Sequence, residues 1–183
     1  MAESNIARFT EKCRRGITMN IKIPQGKISF EPHEDVDIII GVNGSGKSFL
    51  LKALAEKFQD KERAVMYLKE DRIAPSNLEV SGDDFKPAIE AAKKHFQNFN
   101  VSNVESYSWG ERHLLMILKE ALKKPDIVII DTPEIGLHLE WQEDLIRVIR
   151  EIGEKPQIFI ATHSPSIPFK NWAANMIDMA ALI

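Results

Sequence analysis

Cysteine is almost absent from this chain of 183 residues. Cys13 stands alone, so no intramolecular disulfide can form, which suits a reducing compartment. Long apolar runs are missing too. Those present are strand-sized, far short of the ~20 residues that a membrane span needs, so no membrane association is expected. Nor is there an excess of positive charge. Lys and Arg total 24 against 27 Asp and Glu, a net charge of −3, which leaves no electrostatic footprint for nucleic acid. Arg14-Arg15 and Lys123-Lys124 are too short to form a patch and read as solvated surface. The first residues include Glu3 and Glu11 and hold no apolar core of signal-peptide length. A cytoplasmic protein is expected. Internal repeats and low-complexity linkers are likewise not seen. What is there is a 44% share of hydrophobic residues, enough to fill the core of a single domain over 1–183.

The stretch that organises the chain is Gly41-Val42-Asn43-Gly44-Ser45-Gly46-Lys47-Ser48. It fits G-x-x-x-x-G-K-[ST], a loop whose backbone amides turn inward around phosphate. Val36 to Ile40 before it reads as a mostly buried strand. Leu50, Leu51, Leu54 and Phe58 after it repeat at helical spacing. Strand, loop and helix in that order are the setting the motif requires. The helix adds its positive N-terminal end to the same spot. Gly41, Asn43, Gly44, Ser45 and Gly46 then form the cradle, Lys47 reaches the β- and γ-phosphates, and Ser48 ligates Mg²⁺.

Residues 1–16 are poorly patterned. Ile17, Met19, Ile21 and Ile23 alternate with polar residues, Pro24-Gln25-Gly26 makes a turn, and Ile28 and Phe30 continue the alternation. This predicts an antiparallel hairpin ahead of the glycine-rich loop. Ala64 to Leu68 reads as a strand and residues 69–83 as a loop. Phe85, Ala88, Ile89, Ala92, Phe96 and Phe99 predict an amphipathic helix over 84–99, with Pro87 harmless in its first turn. Helices over about 109–123 and 139–152 alternate with strands at Ile127 to Asp131 and Gln157 to Thr162, and the apolar tail of 171–183 has room for a last short strand. Strands alternating with helices predict an α/β fold with a mostly parallel sheet. Its parts are 17–58 (hairpin, loop strand and helix), 69–108 (a short inserted loop and helix) and 109–178.

Three further stretches carry chemistry. Four apolar residues and then Asp131 place an acid at the carboxyl end of a strand, the edge where open α/β sheets bind ligands. From there it can hold Mg²⁺ through water. Tyr107-Ser108-Trp109-Gly110-Glu111-Arg112 precedes a helix, so Ser108, the Gly110 amide and the helix end make a second anion site. The same residues fit a serine cap with glutamate three positions on, and the two readings are compatible. Ala161-Thr162-His163-Ser164-Pro165 follows a buried strand and puts a histidine at the same edge.

This ordered set, covering about 17–178, resembles the ABC-type P-loop ATPases. Asp131-Thr132-Pro133-Glu134-Ile135-Gly136-Leu137-His138 with Trp141-Gln142 is similar to the Asp-Glu-Pro-Glu-x-x-Leu-His pattern of the SMC, RecF-like and OLD-like branch. The resemblance implies a head domain that binds ATP with Mg²⁺ between two copies. Ser108 and Gly110 of one would touch the γ-phosphate held by the other's loop, and His163 would sense it. It also implies a separate effector, such as a nuclease, and work on DNA in repair, mobile-element or phage-defence systems.

Departures from the family pattern qualify this. Thr132 stands where the family has its water-activating glutamate. Loss of such a base typically slows a reaction about 10²–10⁴-fold. Glu134 is the substitute in reach; it reads equally as a loop carboxylate that orders the turn or meets a partner. Slow hydrolysis, or a nucleotide-gated switch with almost none, is therefore expected as an alternative. No glutamine follows Tyr67-Leu68, where Asp71 or Arg72 stands nearby. Only 59 residues separate Ser48 from Ser108, which leaves no room for a long coiled coil and little for the helical subdomain of a transporter cassette.

Overall fold

The computed structural model describes residues 18–61, 63–69, 83–99, 107–170 and 175–182. Cys13, Ile17, Phe9, Asp71, Arg72 and most of the 69–83 loop lie outside them.

The hairpin forms as its alternation predicts. β1 (Met19–Ile23) and β2 (Gly26–Phe30) pair antiparallel, with Met19 opposite Phe30 and Ile23 opposite Gly26. They make a two-stranded sheet of their own, separate from the main one. The main sheet has five parallel strands among the described residues, in the order β4 (Val65–Leu68), β5 (Ile127–Asp131), β6 (Gln157–Ala161), β3 (Val36–Ile40) and β7 (Asn175–Asp178). β5 and β6 are buried along their whole length. That explains why they are written as unbroken apolar runs rather than alternating ones.

Each face of the sheet has its own core. On one face Ile39, Ile127, Ile129, Phe159, Ala161 and Ile177 pack against the hairpin and α1 (Lys47–Gln59). Leu50, Leu51, Leu54 and Phe58 of α1 are fully buried there, each contributing about 1.5–3 kcal/mol. On the other face Val36, Ile38, Val128, Ile130, Ile158 and Ile160 meet α2 (Lys86–His95), α3 (Trp109–Ala121), α4 (Leu139–Ile152) and the short α5 (Ser166–Lys170).

Two expectations change. The helix expected over 84–99 is shorter: a 3₁₀ turn at Asp83–Phe85 leads into α2, which stops at His95 where Phe96 turns extended. Phe96 and Phe99 still join the core, from a turn in which Asn98 takes φ 62° rather than from a helix face. Their rings lie 6.3 and 5.8 Å from that of Trp141. α5 was not anticipated, because Pro165 and Pro168 mask its pattern; Pro168 falls within the first turn, where no intrahelical donor is lost.

Candidate functional site

The site grows from a row of residues at one sheet edge. Asp131 pairs with Ala161, and Ala161 with Ile39. β6 therefore lies between the strand that ends in Asp131 and the strand that feeds the glycine-rich loop. Adjacent parallel strands are ~4.8 Å apart, so Asp131 sits roughly 10 Å from Ile39 along the row. Two main-chain bonds tie the three strand ends beyond it: Thr132 N–H donates to the Ala161 carbonyl at 2.9 Å and Thr162 N–H to the Ile39 carbonyl at 3.1 Å. The loop 41–48, the turn 131–137 and the loop 162–166 therefore issue from neighbouring points.

In the glycine-rich loop, Gly46 takes φ 95° at the N-cap of α1, and no side chain caps the helix. A Cβ there would also collide with Ile23 and Gln25 of the hairpin. The hairpin thus braces the loop, and Gln25 Nε2 donates to the Gly44 carbonyl at 3.0 Å. Asn43, Gly44 and Ser48 are exposed, whereas Gly46 is buried and Gly41 and Ser45 half-buried. Lys47 is only 6% exposed and folds back, donating to the Gly41 and Val42 carbonyls at 2.8 and 3.1 Å. Burial lowers its pKa, while the Asp131 and Glu134 carboxylates push the other way. That opposition places both acids within electrostatic reach of Lys47.

Asp131 and Thr132 are buried. Thr132 takes φ 51°, an unusual conformation for a β-branched residue, of the kind that concentrates at functional sites. Its Oγ1 is buried with no hydrogen-bond partner among the described residues. The left-handed turn at 132 carries the chain to Glu134, whose Oε1 accepts from the His163 backbone N–H at 2.7 Å. Glu134 Oε2 is buried and has no hydrogen-bond partner among the described residues. The His163 ring is exposed.

Ser108 caps α3, and both halves of the capping box are present. Its Oγ accepts from Glu111 N–H at 3.2 Å, and Glu111 Oε2 accepts from Ser108 N–H at 2.6 Å. Ser108 is exposed, whereas Gly110 is buried against the Gly136 carbonyl. The α3 N-terminus thus rests on the turn that carries Glu134. His113, one turn further on, brings its Nδ1 within 2.8 Å of the Ile135 carbonyl. A carbonyl only accepts, so Nδ1 carries the proton. Burial lowers this histidine to a pKa of about 4.

Gln25 also belongs to this assembly although no motif points to it, and Thr162 and Ser164, which stand in the histidine stretch without a role, gain one from their contacts. Gln142 stood in the quoted pattern without a role; only its contacts reveal one.

A family model described as "AAA domain, putative AbiEii toxin, Type IV TA system" matches residues 69–167. Among curated proteins, a zinc import ATP-binding protein ZnuC of Acinetobacter baylyi is 27% identical over 146 residues, covering 70% of this chain and 56% of that protein. A putative ABC transporter ATP-binding protein of Pyrococcus horikoshii is 27% identical over 172 residues, covering 74% and 66%. The chain spans about half the length of most curated relatives it matches. Among solved structures, a putative ABC transporter ATP-binding protein of Pyrococcus furiosus superposes with a TM-score of 0.63 at 15% identity, covering 86% of this chain and 90% of that one. The ATP-binding cassette MJ0796, solved as a dimer in a post-hydrolysis state with ADP and Pi, superposes at 0.55 with 15% identity. These likenesses establish the α/β P-loop fold.

Proposed function

The chain belongs to the AAA-domain family whose model matches residues 69–167, and on that footing we propose that it is an ATPase that closes as a homodimer around Mg-ATP and passes the closure to a separate effector. The observation that carries this is the edge row Ile39, Ala161 and Asp131, which gathers the phosphate loop, the histidine loop and the acidic turn. The MJ0796 dimer supports the pairing of two copies.

The groups at this edge suit a magnesium nucleotide. Asp131 and Ser48 offer the oxygen donors a hard cation prefers. Among the described residues no cluster of three His, Cys, Asp or Glu could hold a metal alone. When bound, Mg²⁺ neutralises charge on the β- and γ-phosphates.

Gly41, Asn43, Gly44, Ser45 and Gly46 present the loop amides to the phosphates. Lys47 exchanges its two loop carbonyls for phosphate oxygens. Ser108 and Gly110 approach the γ-phosphate of the facing copy, and His163 contacts it from its own. Water attacks the γ-phosphorus in line, the bond to the β–γ bridging oxygen breaks, and the water proton passes to Glu134. Thr132 accepts no proton, so turnover is slow. Glu134→Gln should cut single-turnover phosphate release by about 10²–10⁴-fold and raise the mass of the Mg-ATP complex to that of a dimer. Unchanged hydrolysis in that variant would remove Glu134 from the reaction. A switch with negligible turnover is the reading that holds if the unaltered dimer releases no phosphate over hours.

The effector divides two readings. The names of the curated relatives favour a transporter partner. The likeness of Asp131 to His138, with Trp141-Gln142, to the pattern of the SMC, RecF-like and OLD-like branch supports a soluble, DNA-acting partner such as a nuclease, and the short interval between Ser48 and Ser108 leaves little room for a transporter's helical subdomain. No helix among the described residues is long and apolar enough to cross a membrane. Pull-down from cells decides: a membrane subunit supports the first, a soluble nuclease the second.

A further inference from the structure

Gln142 is buried in the first turn of α4, and its amide joins two loops that are also linked through Glu134 and His163. Its Nε2 donates to the Leu137 carbonyl at 2.9 Å and lies 3.4 Å from the Glu134 carbonyl. Carbonyls only accept, so this end of the amide must be the NH₂. Its Oε1 then accepts from the Ser164 hydroxyl at 2.6 Å. Ser164 is itself oriented. Its N–H donates to Thr162 Oγ1 at 3.0 Å, and its Oγ accepts from Ser166 N–H at 3.2 Å. The hydroxyl proton is thereby committed to Gln142. One side chain thus fixes both ends of the turn 134–137 and holds the loop 162–166 against it.

We propose that Gln142 is a positioning residue for hydrolysis, setting the Glu134 turn relative to the His163 loop through Ser164. The inference rests on the roles given to Glu134 and His163 above. Its reasoning is geometric. Glu134 Oε1 is spent on the His163 amide, so the orientation of Oε2 depends on where that loop sits. Gln142 adds a further tie between the loop and the turn. A displacement of about 1 Å at a reacting group can slow a reaction ~10²-fold while binding is kept. The nucleotide cradle, on β3 and α1, makes none of these bonds.

The test is steady-state hydrolysis of Mg-ATP by the full chain and its Q142A, S164A, S164T, Q142A/S164A and E134Q variants. Q142A and S164A should each lower kcat by about 10–100-fold with KM within about twofold. The double variant should be no slower than Q142A, because both changes cut one connection. S164T, which keeps the hydroxyl, should stay within about threefold of the unaltered chain. The proposal is overturned if kcat in Q142A stays within twofold, if kcat and KM worsen together, or if the two changes multiply. Should Q142A fail to fold, the contrast between S164A and S164T decides in the same way. E134Q separates the layers. Hydrolysis sensitive to E134Q but indifferent to Q142A and S164A overturns this proposal alone. Hydrolysis indifferent to E134Q, or absent from the unaltered chain, overturns the reading of Glu134 and this proposal with it.

Discussion

Gly110 lies so close to Gly136 that a Cβ at position 110 would overlap the Gly136 carbonyl oxygen. Gly136 in turn takes φ 72°, and a Cβ there would run into the Trp109 ring. The start of α3 and the turn after β5 are thus fitted to each other within one chain.

Gly110→Ala should therefore destabilise the fold. The obstructing atom is backbone, so relief requires separating α3 from the turn. Overpacking of this kind costs about 1–3 kcal/mol, and at this length each kcal/mol lowers Tm by roughly 2–4 °C. Gly136→Ala should cost more, since it adds backbone strain to the clash. Thermal melting of both variants checks the order.

Thr132→Val separates two explanations of an odd residue. The threonine hydroxyl is buried without a hydrogen-bond partner among the described residues, so its removal should leave stability level or raise it by about 1 kcal/mol. If hydrolysis is also unchanged, the hydroxyl has no part in the reaction. A loss beyond tenfold would show that it meets the attacking water.

Lys47→Ala should reduce nucleotide affinity by at least ~10²-fold, because charge-assisted bonds to phosphate are worth about 1.5–3 kcal/mol each. The two loop carbonyls it bridges would also lose their donor, so a fall in Tm should accompany it. Titration with a fluorescent nucleotide measures the first effect and melting the second.

Stability should respond to acid through His113. Its folded pKa of about 4 lies below the ordinary 6.5, so the unfolded chain binds the proton more readily. Its contribution is full above pH 6.5 and is lost as pH falls through 4, up to about 3 kcal/mol in all. Asp37 acts in the opposite sense. Burial lifts it from 3.8 to about 6, despite hydrogen bonds from the His33 backbone and the Asn175 side chain that lower it. Its contribution is present below 3.8 and is lost as pH rises through 6. Urea titrations between pH 4 and 7 should show a shallower acid limb for His113→Phe and a steeper one for Asp37→Asn.

Much of the fold was legible in the residue order, and the reasons are local. β5 and β6 announce themselves by continuous burial, β1 and β2 by alternation, and the glycine-rich loop by a pattern that few backbones satisfy. α2 was overextended because Phe96 and Phe99 continue its period, although their rings reach the core from a turn. Period reports which residues are buried, not the backbone that delivers them.

Residue order alone determined that this chain has a glycine-rich loop between a strand and a helix, an acid at a strand end, a serine-capped helix and a histidine after the next strand. Each is a short-range pattern whose geometry is set by neighbours in the chain. Only the tertiary structure decided that β6 lies between β3 and β5, that Glu134 holds the His163 amide across 29 positions, and that Gln142 meets Ser164 across 22. Those bonds form only once strands distant in sequence have paired in register. Their distances and directions are a product of the sheet, which no spacing of letters encodes.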